Sequence, residues 1–140
     1  HASDTTISRV SGGKIAVEGV TIPTETSTNT LTNKRITKRG ESTADDATAV
    51  INTDTTDIYE LHSMASATVI STTGTPSFGD TLMIKLRGSG GSRGLTWDSI
   101  FQPIGITLPT SAPDGKWVYV TCIYNTRDSK WDAIHTVTQV

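Results

Sequence analysis

From residue 34 onward, short runs of apolar and β-branched residues recur, each closed by glycine, proline, aspartate or asparagine. They read KRITKR, ATAVI, TDIYELH, ASATVIST, DTLMIKLRG, WVYVTCIYN and KWDAIHTVTQV. Runs of this length with turn residues between them are strand signals, and their close spacing is that of a sandwich or barrel. Helical periodicity is scarce. STADDATAVI could supply one turn, with Ser42 or Thr43 as its cap, and nothing longer. The expectation is an all-β chain: a small antiparallel β-sandwich or barrel-like domain.

Two of the runs say which faces must be covered. In DTLMIKLRG, Leu82, Ile84 and Leu86 alternate with Thr81, Met83, Lys85 and Arg87, which gives one buried and one solvated face. WVYVTCIYN differs. Val118, Val120, Cys122 and Tyr124 lie on one side, but Trp117, Tyr119 and Ile123 lie on the other with only Thr121 between them. A strand apolar on both faces needs cover on both, from its own chain or from another copy. Hydrophobic content is only 34%, against the ~45–50% usual for globular domains. With so little to spare, a second copy is the favoured cover. Trp117, Tyr119, Ile123 and Trp131 are the candidate oligomer or ligand surface.

Serine and threonine fill the apolar deficit, and threonine suits strands. The net charge of −2 and the pI of 5.9 offer no global basic stripe for nucleic acid. The basic run NKRITKR at residues 33–39 is read as a solvated edge strand, where charge deters sheet-to-sheet pairing. No apolar run reaches the ~18 residues of a membrane helix. With a single cysteine, Cys122, no intrachain disulfide forms, and its mid-strand apolar setting is that of an inert thiol. The first residues, HAS, are expected to be a trimmed start and not a secretory leader.

The organisation is expected to be an N-terminal arm or linker element, residues 1–30, and a β-domain, residues 31–140. KIAVEGVTI at 14–22 reads as a strand with a bulge or bend around Gly19, and the threonine-rich PTETSTNTLTN follows as a connector. Late in the main domain stands LTWDSIFQPIGITLPT, residues 95–110. It reads as a structural corner: a strand ending at Trp97, an apolar plug of Ile100 and Phe101, and Pro103 and Pro109 fixing the exit. Neither proline suits a central strand, since each lacks a donor and restricts the residue before it.

Motifs that would carry chemistry are missing or incomplete. GSGGSRG (88–94) is glycine-rich, but no lysine and no helix start follow it, so it reads as a hairpin connection and not a phosphate cradle. Asp45, Asp46, Asp54 and Asp57 lack calcium-loop spacing and read as turn formers. His1, His62 and His135 share no metal-ligand spacing. No catalytic residue, metal or cofactor is assigned, and an enzyme is the least favoured class. Exposed tryptophans would suit sugar stacking, so a carbohydrate-binding module stays open beside a core or interface role.

The stretch GTPSFGDTLMIKLRGSGGSRGLTWDSIFQPIGITLPT, followed by WVYVTCIYNTRDSKWDAI, resembles a module of tailed-bacteriophage structural proteins. Such modules occur in tail-fibre, receptor-binding and minor virion proteins. LTNKRITKR and INTDTTDIYELHSMASA are similar to what precedes the module, so the resemblance covers about residues 31–138. LTW, LPT, IYN and KWD in that order carry it. Gly79-Asp80 stands where Gly-Gln is common, and GSGGSRG replaces a loop more often built as Asp-Gly-Thr. The resemblance implies a virion component on the tail or head surface, commonly oligomeric and trimeric in a fibre. Its expected partners are further copies of itself, other virion proteins and, in a receptor-binding tip, a host surface glycan. Nucleic acid and membrane insertion are not expected. The alternative within the same class is a capsid-decorating or head-fibre protein anchored by residues 1–30.

Overall fold

The computed structural model describes residues 7–10, 14–17, 20–21, 35 and 37–140. The chain divides into two compact units, His1–Ile36 and Thr37–Val140. In the first unit β1 (Ile7–Val10), β2 (Lys14–Val17) and β3 (Val20–Thr21) form an antiparallel sheet in that order. Val17 stands opposite Val20. The KIAVEGVTI run is therefore two paired strands and not one strand with a bulge.

The second unit is all-β. Its strands are β4 (Gly40–Thr43), β5 (Thr48–Asn52), β6 (Ile58–Met64), β7 (Thr68–Thr73), β8 (Thr81–Gly88), β9 (Arg93–Trp97), β10 (Phe101–Pro103), β11 (Ser111–Ala112), β12 (Trp117–Asn125) and β13 (Lys130–Thr138). They make a six-stranded sheet in the order β10-β13-β12-β8-β6-β4 and a four-stranded sheet in the order β11-β9-β7-β5. Residues 37–39, part of the expected basic edge strand, are not in a strand, and the rest of that run except Arg35 lies outside the described residues. ATAVI is strand throughout its last four residues, so the single helical turn considered there does not form.

Sheet direction departs from expectation. Between β4 and β11 the chain changes sheet at every strand, so β4, β6 and β8 are successive neighbours in one sheet and β5, β7, β9 and β11 in the other. The result is parallel pairing of β4 with β6, β6 with β8, β5 with β7 and β7 with β9. A parallel pair needs a long crossover connection, and here the strand in the opposite sheet supplies it. Antiparallel pairing comes where β11 meets β9 and where β12 meets both β8 and β13, the last as a hairpin. The sheets are therefore mixed. The reason is local: a corner between sheets and a hairpin use the same glycine, proline and aspartate residues.

GSGGSRG is one such corner, leading from β8 in one sheet to β9 in the other, and not a hairpin. Gly88 is needed there for space. A Cβ on it would sit 2.7 Å from the Ala112 carbonyl oxygen and 2.8 Å from that of Gly91. Arg93 folds back on the loop, donating from Nε and Nη2 to the Ser89 carbonyl at 3.2 and 2.7 Å, and from Nε to that of Met64 at 3.2 Å.

The inward residues of both sheets form one core. Tyr59, Leu61, Ile84, Leu86, Val118, Val120 and Trp131 come from the larger sheet, and Ala49, Ile51, Ile70 and Leu95 from the smaller. Buried threonines complete it because each hydroxyl has an acceptor: Thr53 donates to the Thr73 carbonyl at 2.8 Å and Thr68 to that of Asp46 at 2.8 Å. Cys122 is fully buried, and burial pushes its thiol up to about 12, far from any reactive thiolate.

The LTW…LPT segment closes one end of this core. Trp97 donates its indole N–H to the Pro109 carbonyl at 2.8 Å, and its ring meets Phe101 edge-on with centroids 5.2 Å apart. Phe101 is 5% exposed, and Ile100 packs against the same cluster. Pro103 ends β10, which lies on the sheet edge parallel to β13, a place that tolerates a missing donor. Replacing Phe101 by alanine should lower the unfolding free energy by about 3–5 kcal/mol, read from urea denaturation; a loss under about 1 kcal/mol would contradict the plug.

Candidate functional site

The outer face of the six-stranded sheet gathers the surface residues singled out from the sequence. Register fixes which side chains meet. Tyr119 on β12 lies between Val137 on β13 and Lys85 on β8, and Lys85 is in turn beside Glu60 on β6, which pairs with Ser42 on β4. The next row runs His135, Thr121, Met83, Ile58. Trp117 pairs with Arg87, and Ile123 with Thr81 and Asp132. Alternation places these side chains opposite the core residues Val118, Val120 and Cys122.

Trp117 and Tyr119 are half-buried, while Met83 and Ile123 are each 37% exposed, Ile134 42% and Val137 48%. Trp131 does not belong to this surface. It is 2% exposed, packs against Tyr124 with ring centroids 5.1 Å apart, and is part of the core. Trp131 stands opposite Tyr124, on the side of β12 that carries Val118, Val120 and Cys122, so its inward place follows from the hairpin register.

The face is not uniformly apolar. Lys85 Nζ lies 4.7 Å from the Trp117 ring centroid, and the Arg87 guanidinium lies 5.6 Å from it. Both are within the range of cation–π attraction. Lys85 also forms an ion pair with Glu60, whose other oxygen accepts a 3.1 Å hydrogen bond from Ser42. The hydrogen bond from Lys85 holds the Glu60 carboxyl below its ordinary range, with Ser42 adding to the effect.

Toward the end of the sheet where β6 and β8 begin, the face sinks into an apolar notch of about 290 Å³. It is lined by Lys38, Asp57, Ile58, Thr81, Leu82, Met83 and Thr121. Beside it Arg39 donates to Asp57 from Nε at 3.1 Å and from Nη2 at 2.6 Å, and its backbone N–H donates to the same carboxylate at 2.9 Å. Arg39 Nη1 reaches the Asp54 carbonyl. This clamp ties the start of the unit to the β5–β6 turn.

Little of this arrangement is built for bond chemistry. The acidic residues considered from the sequence serve turns: Asp45 accepts from the Ala65 N–H, Asp46 from that of Thr48, and Asp54 from that of Thr75, at 2.9, 2.9 and 2.7 Å. Among the described residues no group of three or more His, Cys, Asp or Glu side chains could hold a metal ion. His62 Nδ1 lies 3.0 Å from the Ser63 hydroxyl, a neighbour in sequence. Sequence reasoning missed Val137, Ile134 and the notch, and it placed Met83 on the solvated side without giving it a role. The signal was there in the apolar residues interspersed on the outward side of β8 and β13.

Comparison with protein-family models, with curated proteins and with solved structures gives no match.

The clamp has a pH signature. The hydrogen bonds from Arg39 lower the Asp57 carboxyl from 3.8 to about 2. A carboxyl depressed on folding stabilises the fold above its unfolded pKa and loses that contribution as pH falls through the folded value. Between about pH 4 and 2, the stability of the wild type should therefore fall more steeply than that of Asp57→Asn. Chemical denaturation at stepped pH measures both slopes, and equal slopes would remove the clamp from the account.

Proposed function

We propose that this chain is a non-enzymatic structural protein of a tailed-bacteriophage particle, an oligomeric tail-fibre, spike or receptor-binding component in which three copies assemble. The observation that carries the reading is the outer face of the six-stranded sheet. Half-buried Trp117 and Tyr119 share one sheet face with exposed Met83, Ile123 and Val137. Exposed apolar residues gathered on one sheet face, even with charges among them, are the kind of surface that protein contacts cover. The resemblance of the LTW, LPT, IYN and KWD elements to virion modules supplies the setting. Their place in the fold supports an architectural role, because Trp97, Phe101 and Trp131 serve the core and the corner and leave no ring free for a ligand.

The sugar-binding alternative is narrowed by the same facts. Of the three tryptophans only Trp117 presents itself on the outer face, and Lys85 and Arg87 already stand over its ring. A neutral sugar would have to displace them. The arm-anchored capsid-decorating alternative turns on residues 1–30, most of which lie outside the described residues.

Sedimentation velocity over a micromolar concentration series tests the reading. The expected result is a trimer that Val137→Glu converts to smaller species while the far-ultraviolet spectrum stays β-rich. A wild-type protein that remains a monomer throughout would sink the self-assembling reading. Immunogold labelling of particles then tests the virion setting by placing the protein on tail or head.

A further inference from the structure

Among the described residues, Phe78 is the most exposed large apolar side chain apart from the terminal Val140, at 82%. It is not on a loose loop. The Asp80 N–H donates to the Ser77 carbonyl at 3.1 Å, and the Ser77 N–H donates back to the Asp80 carboxylate at 2.8 Å. Gly79 takes the positive φ of 82° that the third position of this tight turn requires, and nothing lies within 4 Å of where its Cβ would be. The glycine is there for backbone conformation and not for space. The turn is then pinned to the end of β12: the Gly79 N–H donates to the Tyr124 carbonyl at 3.1 Å, and the Tyr124 N–H to that of Asp80 at 2.8 Å. A benzyl group is thus held out to solvent by a turn with little freedom left to lose on binding.

The same chain carries a receptacle of matching character. The notch beside Ile58, Met83 and Thr121 has a volume of about 290 Å³, enough for one aromatic ring, and Lys38 stands among its lining residues. Lys38 is exposed, with Nζ 3.4 Å from the Thr81 hydroxyl. A phenyl ring entering there would meet apolar walls and a cation able to approach its face. Charge is balanced there, since Asp57 lines the notch with Lys38, so the match is one of apolar character. Phe78 cannot be filling its own notch, since it is almost wholly exposed.

We propose that Phe78 of one copy seats in the Ile58–Met83–Thr121 notch of the next and anchors the contact between copies. The inference rests on the self-assembly reading and adds the residue and the socket that make the contact.

The test uses three proteins in sedimentation velocity: wild type, Phe78→Ala and Met83→Glu. Both substituted side chains point to solvent, and thermal melts monitored by circular dichroism check that folding is retained. Each variant should dissociate at least tenfold more readily than wild type. An equimolar mixture should regain association, because Phe78→Ala keeps its notch and Met83→Glu keeps its ring. If Phe78→Ala assembles as tightly as wild type, or the mixture regains nothing, the contact is wrong while self-assembly stands. If the wild type itself never assembles, both readings fall together.

Discussion

One core serves both sheets, and the way the chain visits them makes that core the interaction on which the rest depends. Each strand from β4 to β11 leaves its own sheet and lands in the other, so neither sheet can form alone from consecutive residues. A parallel neighbour such as β6 on β4 arrives only after β5 has been placed on the opposite side. Burial of the inward residues and pairing of the strands are therefore coupled, and removing volume from one sheet loosens the register of the other. Long-range pairing of this kind costs loop closure before it is rewarded by contacts. The antiparallel β12–β13 hairpin is the exception. Its many local contacts and its seat against β8 make it the natural lock on the winding.

A chain with so few apolar residues must also spend its polar ones carefully. Thr53 and Thr68 do this by burying a methyl group while giving the hydroxyl a carbonyl acceptor, so the β-branched shape is used without an unpaired donor. Corners follow the same logic. Asp45, Asp46, Asp54 and Asp80 each accept from a backbone N–H that the turn would otherwise leave open. Carboxylates that could have suggested a catalytic or metal site are consumed in holding the chain at its bends.

Particular residues show what could be read in advance. The strands DTLMIKLRG and WVYVTCIYN were legible because alternation survives any sheet direction: Leu82, Ile84, Leu86, Val118 and Val120 are buried whether their neighbours run parallel or antiparallel. The corner at Trp97 and Phe101 was legible because a large apolar plug between prolines has few other uses. Parallel pairing was not legible, since turn residues at a sheet-to-sheet corner match those of a hairpin. Nor was the burial of Trp131, because its side is set by the β12–β13 register, in which it stands opposite Tyr124. Phe78 was passed over for a different reason. In a sequence, one phenylalanine between turn residues looks like any other loop residue, and only its fixed backbone and its exposure distinguish it.

The outer faces of the two sheets differ in a way that bears on where a partner belongs. The smaller sheet turns Thr48, Val50, Val69, Ser71 and Thr96 outward, mostly residues whose hydroxyls keep the surface hydrated. The larger sheet turns out Trp117, Tyr119, Met83 and Ile123, and it places Lys85, Arg87 and Glu60 among them. Lys85 and Arg87 stand over one face of the Trp117 ring. They also set a condition on any partner, because the Lys85–Glu60 pair must stay hydrogen-bonded when covered. A partner that approached over the Trp117 row would have to satisfy both ions. One that entered over Met83 and Ile58 would meet mainly carbon, with Lys38 and Asp57 at the lining.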